Sequence, residues 1–166
     1  MDHEDATTYF LETYDAYGSD IYRFCVLKVS SREVAEDITQ EVFMRFWQAV
    51  REGTEFKNAR ALLYTIARNL VIDWYRKKKE SSLDNLQEQG IDFGGEDFKK
   101  ITEFAEHEEV LRVIKELDEP SREALMLRFV DGLSPRDIAD MSGETPNAIS
   151  VRINRAIKKV QQELHT

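Results

Sequence analysis

Between Ser134 and Lys159 the chain reads SPRDIADMSGETPNAISVRINRAIKK, and within it Asn147, Ser150, Arg152, Asn154, Arg155 and Lys159 recur at helical spacing. Amides and guanidinium groups can hydrogen-bond base edges, while hydroxyls and cations hold phosphates, so this set suits the major groove of DNA. It can act together only if one helix turns these residues to the same side. Ile149, Ile153, Ala156, Ile157 and Val160 predict that helix, because they form an apolar stripe opposite the polar set. The plain alternative is an amphipathic C-terminal helix with a solvated basic face.

The residues just before it supply the positioning element. Ser134 can cap a helix opening at Pro135, with Asp137 at the reciprocal capping position. Ile138, Ala139 and Met141 give that helix an apolar side. Ser142-Gly143-Glu144 must end it, since Gly143 permits the positive φ of a tight turn. Thr145 then caps the next helix and Pro146 occupies its first turn. Ala139, Gly143 and Ile149 fall where a helix-turn-helix needs a small residue at the crossing, a turn glycine and a core anchor.

A net charge of -9 over 166 residues is at odds with DNA binding until its distribution is read. Residues 1–79 carry 12 basic and 13 acidic groups, and residues 110–166 carry 9 of each. Residues 80–109 carry 10 acids against Lys99 and Lys100, so this segment alone holds a charge of -8. It contains Gly90, Gly94 and Gly95 and lacks sustained periodicity until about Ile101, which predicts a linker.

Hydrophobic residues at 42%, charged residues at 33%, and only 7 Gly and 3 Pro predict an all-α protein of two small bundles. Three helices precede the linker. The first, from about Ala6 to Val29, is expected to turn Phe10, Tyr14, Tyr17, Ile21, Phe24 and Cys25 inward. The second, from about Ser31 to Val50, turns in Ile38, Val42, Phe43, Phe46, Trp47 and Val50. The third, from about Ala59 to Lys79, turns in Leu62, Leu63, Ile66, Ala67, Leu70, Val71 and Trp74. After the linker, Val110 to Leu117 forms one helix and Ser121 caps another that runs to Phe129. The single Cys25 excludes an internal disulfide and reads as buried packing in a reducing cytoplasm. His3, His107 and His165 are too scattered for a metal site, and no cofactor is expected. The sequence shows no signal peptide or membrane-length apolar stretch, so a cytoplasmic chain without membrane insertion is expected.

Three blocks together, AEDITQEVFMRFWQAV, LLYTIARNLVIDWYRKKK and LDEPSREALMLRFVDGLSPRDIADMSGETPNAISVRINRAIKKV, resemble the extracytoplasmic-function sigma factors of the sigma-70 family. The resemblance implies a transcription initiation factor, not an enzyme, that directs RNA polymerase core to promoters. Residues 1–79 would be a sigma-2-like domain, 80–105 an acidic linker and 106–166 a sigma-4-like domain. Asp37, Gln40, Glu41 and Met44 match the family's core-binding surface, which meets the polymerase clamp coiled coil; the polymerase flap is a further contact. Phe56, Lys57, Asn58, Arg68, Asn69, Asp73, Arg76 and Lys77 match the −10 reading region, and the loop at Phe56 lies where a flipped base is held. Phe56 could equally plug the core. Thr145, Asn147, Ala148, Ser150, Arg152, Arg155 and Lys159 match the −35 reading helix. An anti-sigma factor is a further expected partner. The rivals are a stand-alone helix-turn-helix regulator and an adaptor of the anti-sigma class. An enzyme has no phosphate-cradling glycine loop, metal cluster or nucleophile with a placed base to support it.

The acidic linker either is solvated spacer or competes with DNA for the basic helices beside it, at the high effective concentration of a tether. If it competes, neutralising its acids raises the DNA affinity of the free chain at low salt, and the gain fades near 0.15 M, where the Debye length is about 8 Å. Fluorescence anisotropy of a −35 duplex measures this. Equal affinities would leave the linker as spacer.

Overall fold

The structure, a computed structural model, describes residues 2–81 and 108–164. Among them the regular elements are all α-helices: α1 (His3–Val29), α2 (Arg32–Arg51), α3 (Ala59–Ser81), α4 (Glu108–Glu116), α5 (Glu119–Phe129), α6 (Pro135–Ser142) and α7 (Pro146–Leu164). The all-α class follows the expectation. They fall into two compact units, α1–α3 and α4–α7. Of the expected linker, residues 80 and 81 finish α3, and the rest lies outside the described residues.

Local chemistry sets the boundaries of the first unit. The Asp2 carboxylate accepts from the Asp5 amide at 2.9 Å and opens α1. Ser30 takes a left-handed conformation, φ 55°, and its N–H donates to the Val26 carbonyl at 3.0 Å to close it. Ser31 caps α2 by accepting from the Val34 amide at 3.3 Å. Asn58 does the same for α3, accepting from the Ala61 amide at 3.2 Å.

The three helices close around Ile21, Phe24 and Cys25 of α1, Val42, Phe43 and Phe46 of α2, and Leu63, Tyr64 and Ala67 of α3, all buried. Two expectations need correction. Tyr14 is 49% exposed; its ring covers Phe43 from outside at 4.9 Å, and Thr13 is buried in its place, its hydroxyl donating to the Tyr9 carbonyl at 2.8 Å. In α3 the buried line is Ala61, Leu63, Tyr64, Ala67 and Val71, while Leu62, Ile66, Leu70 and Trp74 stay half-buried at its margin. This helix is apolar on several sides, so periodicity left its phase open. Packing against both α1 and α2 fixed it, with the Tyr64 ring edge-on to Phe24 at 5.3 Å.

In the second unit α7 packs against α4, α5 and α6. Leu111, Val113, Leu117, Leu125, Leu127, Leu133, Ile138, Ile149 and Ile153 are buried there. The expected cap at Ser121 is corrected. Asp118 caps α5, its carboxylate accepting from the Ser121 amide at 3.3 Å and the Ser121 hydroxyl at 3.0 Å. Pro120 lies in the first turn, a position that places the cap before it.

Phe46 is fully buried beneath the rings of Tyr9, Phe10 and Phe56. Phe46→Ala should therefore cost the first unit about 3–5 kcal/mol. Both tryptophans, Trp47 and Trp74, lie in that unit, so denaturant unfolding followed by tryptophan fluorescence reports it alone.

Candidate nucleic-acid interface

The α6–α7 pair forms as its residues dictate. Ser134 Oγ accepts from the Asp137 amide at 3.1 Å, and the Asp137 carboxylate accepts from the Ser134 amide at 3.1 Å, a complete capping box. Gly143 ends α6 at φ 72°, and its N–H and that of Glu144 both donate to the Ala139 carbonyl, at 2.9 and 3.2 Å. Thr145 Oγ1 accepts from the Ala148 amide at 3.1 Å and starts α7. Ala139 and Ile149 are buried where the two helices cross.

Burial of Ile149, Ile153, Ala156 and Val160 turns the opposite side of α7 outward. Thr145, Asn147, Ala148, Asn154, Arg155 and Lys159 are exposed, and Ser150 and Arg152 are half-buried. A cleft of about 540 Å³ runs between this helix and the start of α5, lined by Leu117, Asp118, Ser121, Val151, Arg152, Arg155 and Lys159 among others. Three cations line it, Arg152 paired with Glu144, against the single Asp118 carboxylate. The Ser121 hydroxyl holds the Asp118 carboxyl below its usual range against the opposing effect of desolvation, with the Ser121 amide and, least of all, Lys159 adding to it.

Arg152 is not simply presented to solvent. Its Nη1 and Nη2 both donate to the Glu144 carboxylate, each at 2.7 Å. The hydrogen bond from Arg152 depresses the Glu144 pKa, and the same bond raises that of Arg152. A depressed carboxyl keeps its charge as pH falls, so the pair persists through neutral and mildly acidic solution and is lost only below the ordinary carboxylate range. Sequence reasoning did not place Glu144 in the site. Its partner is eight residues on, inside α7, while Glu144 sits in the turn before that helix, a relation no helical spacing rule covers.

The first unit carries two further surfaces. On α2, Asp37, Gln40 and Met44 are exposed and Glu41 is half-buried, at spacings that put all four on one side. Met44 is 58% exposed, and the Glu41 carboxylate accepts from Arg45 Nε at 3.0 Å. On α3, Asn69, Arg76 and Lys77 are exposed, Arg68 and Asp73 half-buried, and Asp73 pairs with Arg76 at 3.5 Å. Ile72, exposed at 46%, lies among them and was absent from the expected set. Its place at helical spacing from Arg68, Asn69 and Arg76, off the apolar stripe, was the available signal. In the preceding loop Lys57 is exposed, whereas Phe56 is half-buried with its ring 5.9 Å from that of Phe46, and the Asn58 side-chain oxygen is engaged in capping α3. Of the two readings left open for Phe56, this contact favours the core plug. Trp74, read as packing, is half-buried, edge-on to Tyr75 at 4.9 Å and covered by Lys78 Nζ at 4.8 Å.

Comparison with known proteins places both units. Residues 13–81 match Sigma-70 region 2, and residues 107–160 match Sigma-70, region 4. The ECF RNA polymerase sigma factor SigM of Bacillus subtilis is 31% identical over 132 residues, covering 76% of this chain and 77% of SigM. The ECF RNA polymerase sigma factor BldN of Streptomyces coelicolor is 28% identical over 160 residues, 93% of this chain; the chain spans 60% of BldN. The fold matches that of the sigma factor RpoE, solved in complex with the anti-sigma factor NepR from Bartonella quintana, with a TM-score of 0.59 at 23% identity, covering 98% of each chain.

Proposed function

The chain belongs to the extracytoplasmic-function sigma factors of the sigma-70 family, and from that premise we propose how its surfaces divide the work of directing RNA polymerase core to promoters. The cationic side of α7 reads the −35 element. The single observation that carries this is the helix-turn-helix itself, whose capping box and Gly143 turn fix α7 so that its buried stripe leaves Asn147, Arg155 and Lys159 outward. The α3 side bearing Asn69, Arg76 and Lys77 engages the −10 region, where Lys57 of the preceding loop adds a cation. The α2 side bearing Asp37, Gln40, Glu41 and Met44 docks on core polymerase, its acids facing a basic partner and its exposed Met44 supplying an adaptable apolar contact.

This is a binding protein rather than a catalyst. Its chemistry is the placement of donors and charges against DNA and polymerase. An anti-sigma factor, the class of protein seen with RpoE, is inferred as a regulatory partner. Among the described residues no helix is long and apolar enough to cross a membrane, and the cytoplasm is the inferred place of action because core polymerase works there.

Run-off transcription with purified core polymerase on a promoter pool tests the reading as a whole; no factor-dependent transcript would refute it. Arg155→Ala and Lys159→Ala should each weaken −35 duplex binding while leaving core binding intact. A lost phosphate contact lowers the salt slope by about 1 for all sequences, whereas a lost guanine contact costs about 1–3 kcal/mol at one position, so a salt titration on several duplexes separates the two.

Charge reversal at Asp37 and Glu41 should weaken association with core by an order of magnitude or more, in line with the roughly 2–5 kcal/mol range for disrupted interfacial charges. Helical content stays unchanged, since neither side chain belongs to the buried stripe of α2. Wild-type affinity of the double variant in a pull-down with core would remove docking from this side.

A further inference from the structure

Arg152 stands beside the cationic cleft of α7, yet the end of its guanidinium is already occupied. Both terminal nitrogens donate to one carboxylate, that of Glu144, at 2.7 Å. The turn holds that carboxylate in place: the Glu144 N–H donates to the Ala139 carbonyl at 3.2 Å, and the Ser142 hydroxyl lies 3.4 Å from Glu144 Oε2. An arginine reads guanine by offering two parallel N–H groups to O6 and N7. In the Glu144 pair the end-on edge that would do this is taken. What remains are N–H groups pointing sideways, suited to a phosphate or a single acceptor, and a carboxylate that only an amino-bearing base edge can satisfy. The ion pair joins a half-buried guanidinium to an exposed carboxylate at the surface, so its worth to stability is small and its consequence is orientation.

The geometry points to Glu144 as a specificity-determining residue that, by holding Arg152 from the turn before α7, sets which base pair α7 accepts at one position of the −35 element. This rests on the assignment of α7 to −35 reading. Glu144 acts through Arg152 and is a positioning residue. The pair reads as a unit, so removing the carboxylate does not merely weaken binding. It frees the guanidinium to take a different base.

Selection from a promoter library randomised across the −35 segment, with the full chain bound to core polymerase, tests this in wild type, Glu144→Ala, Arg152→Ala and the double variant. The exposed position of Glu144 makes truncation compatible with folding, which thermal unfolding checks. Glu144→Ala should change the preferred base pair at one position, with discrimination there altered roughly five- to hundredfold, the range of one bidentate contact. Arg152→Ala and the double variant should select the same sequence as each other. An unchanged preference in Glu144→Ala overturns the proposal. So does the same change appearing on the Arg152→Ala background, because Glu144 would then act without Arg152. If wild type enriches no −35 sequence at all, the assignment of α7 to −35 reading falls first.

Discussion

One helix carries two obligations in the second unit, and the rest of that unit follows from them. α7 is the element on which α4, α5 and α6 all pack, and it is also the element that presents amides and cations outward. Its buried stripe of Ile149, Ile153, Ala156 and Val160 fixes its rotation about its own axis. Any slip of that stripe would carry Arg155 and Lys159 out of register along with it. The hydrophobic effect thus orients the polar chemistry: apolar burial, which is not directional, becomes directional when it is confined to one side of a rigid helix.

The two units secure their helices by different means. In the first, long helices converge on a cluster of rings, with Phe10, Phe43, Phe46 and Trp47 edge-on or offset at centroid distances of 5.2–6.3 Å. Such a core tolerates polar surfaces of either sign, which suits a body with one acidic side on α2 and a cationic end on α3. In the second unit α6 is only eight residues long, too short to hold its own shape in water. The capping box at Ser134 and Asp137, the left-handed Gly143 and the cap at Thr145 supply the local hydrogen bonds, and burial of Ile138 and Ala139 completes it.

Acidic residues restrain the cationic sides of α3 and α7, the surfaces proposed to read DNA, as well as surrounding them. Glu144 holds Arg152, Asp73 pairs with Arg76, and Asp118 faces the cations of α7 from the start of α5. A surface of bare cations would bind any DNA through phosphates. Pairing some of them would trade general affinity for geometry on the sides proposed to read DNA, while most of the net charge of -9 lies apart from them, in residues 80–109.

By itself the sequence determined the all-α class, the three helices before the acidic segment, the helix-turn-helix with its capping box and turn glycine, and the outward set on α7. These are local properties: caps, turns and stripes are set by residues within a few positions of one another, so spacing reveals them. Only the tertiary structure decided the phase of α3, where Tyr64 rather than Leu62 reaches the centre, because a helix apolar on several sides is oriented by its neighbours. The exchange of Tyr14 for Thr13, and the seating of Phe56 on Phe46, have the same origin. So has the Glu144–Arg152 pair. Glu144 lies in the turn before α7 and Arg152 in the second turn of that helix, so the two meet only because the chain entering α7 at Thr145 sets Glu144 beside the helix, a placement that helical spacing does not encode.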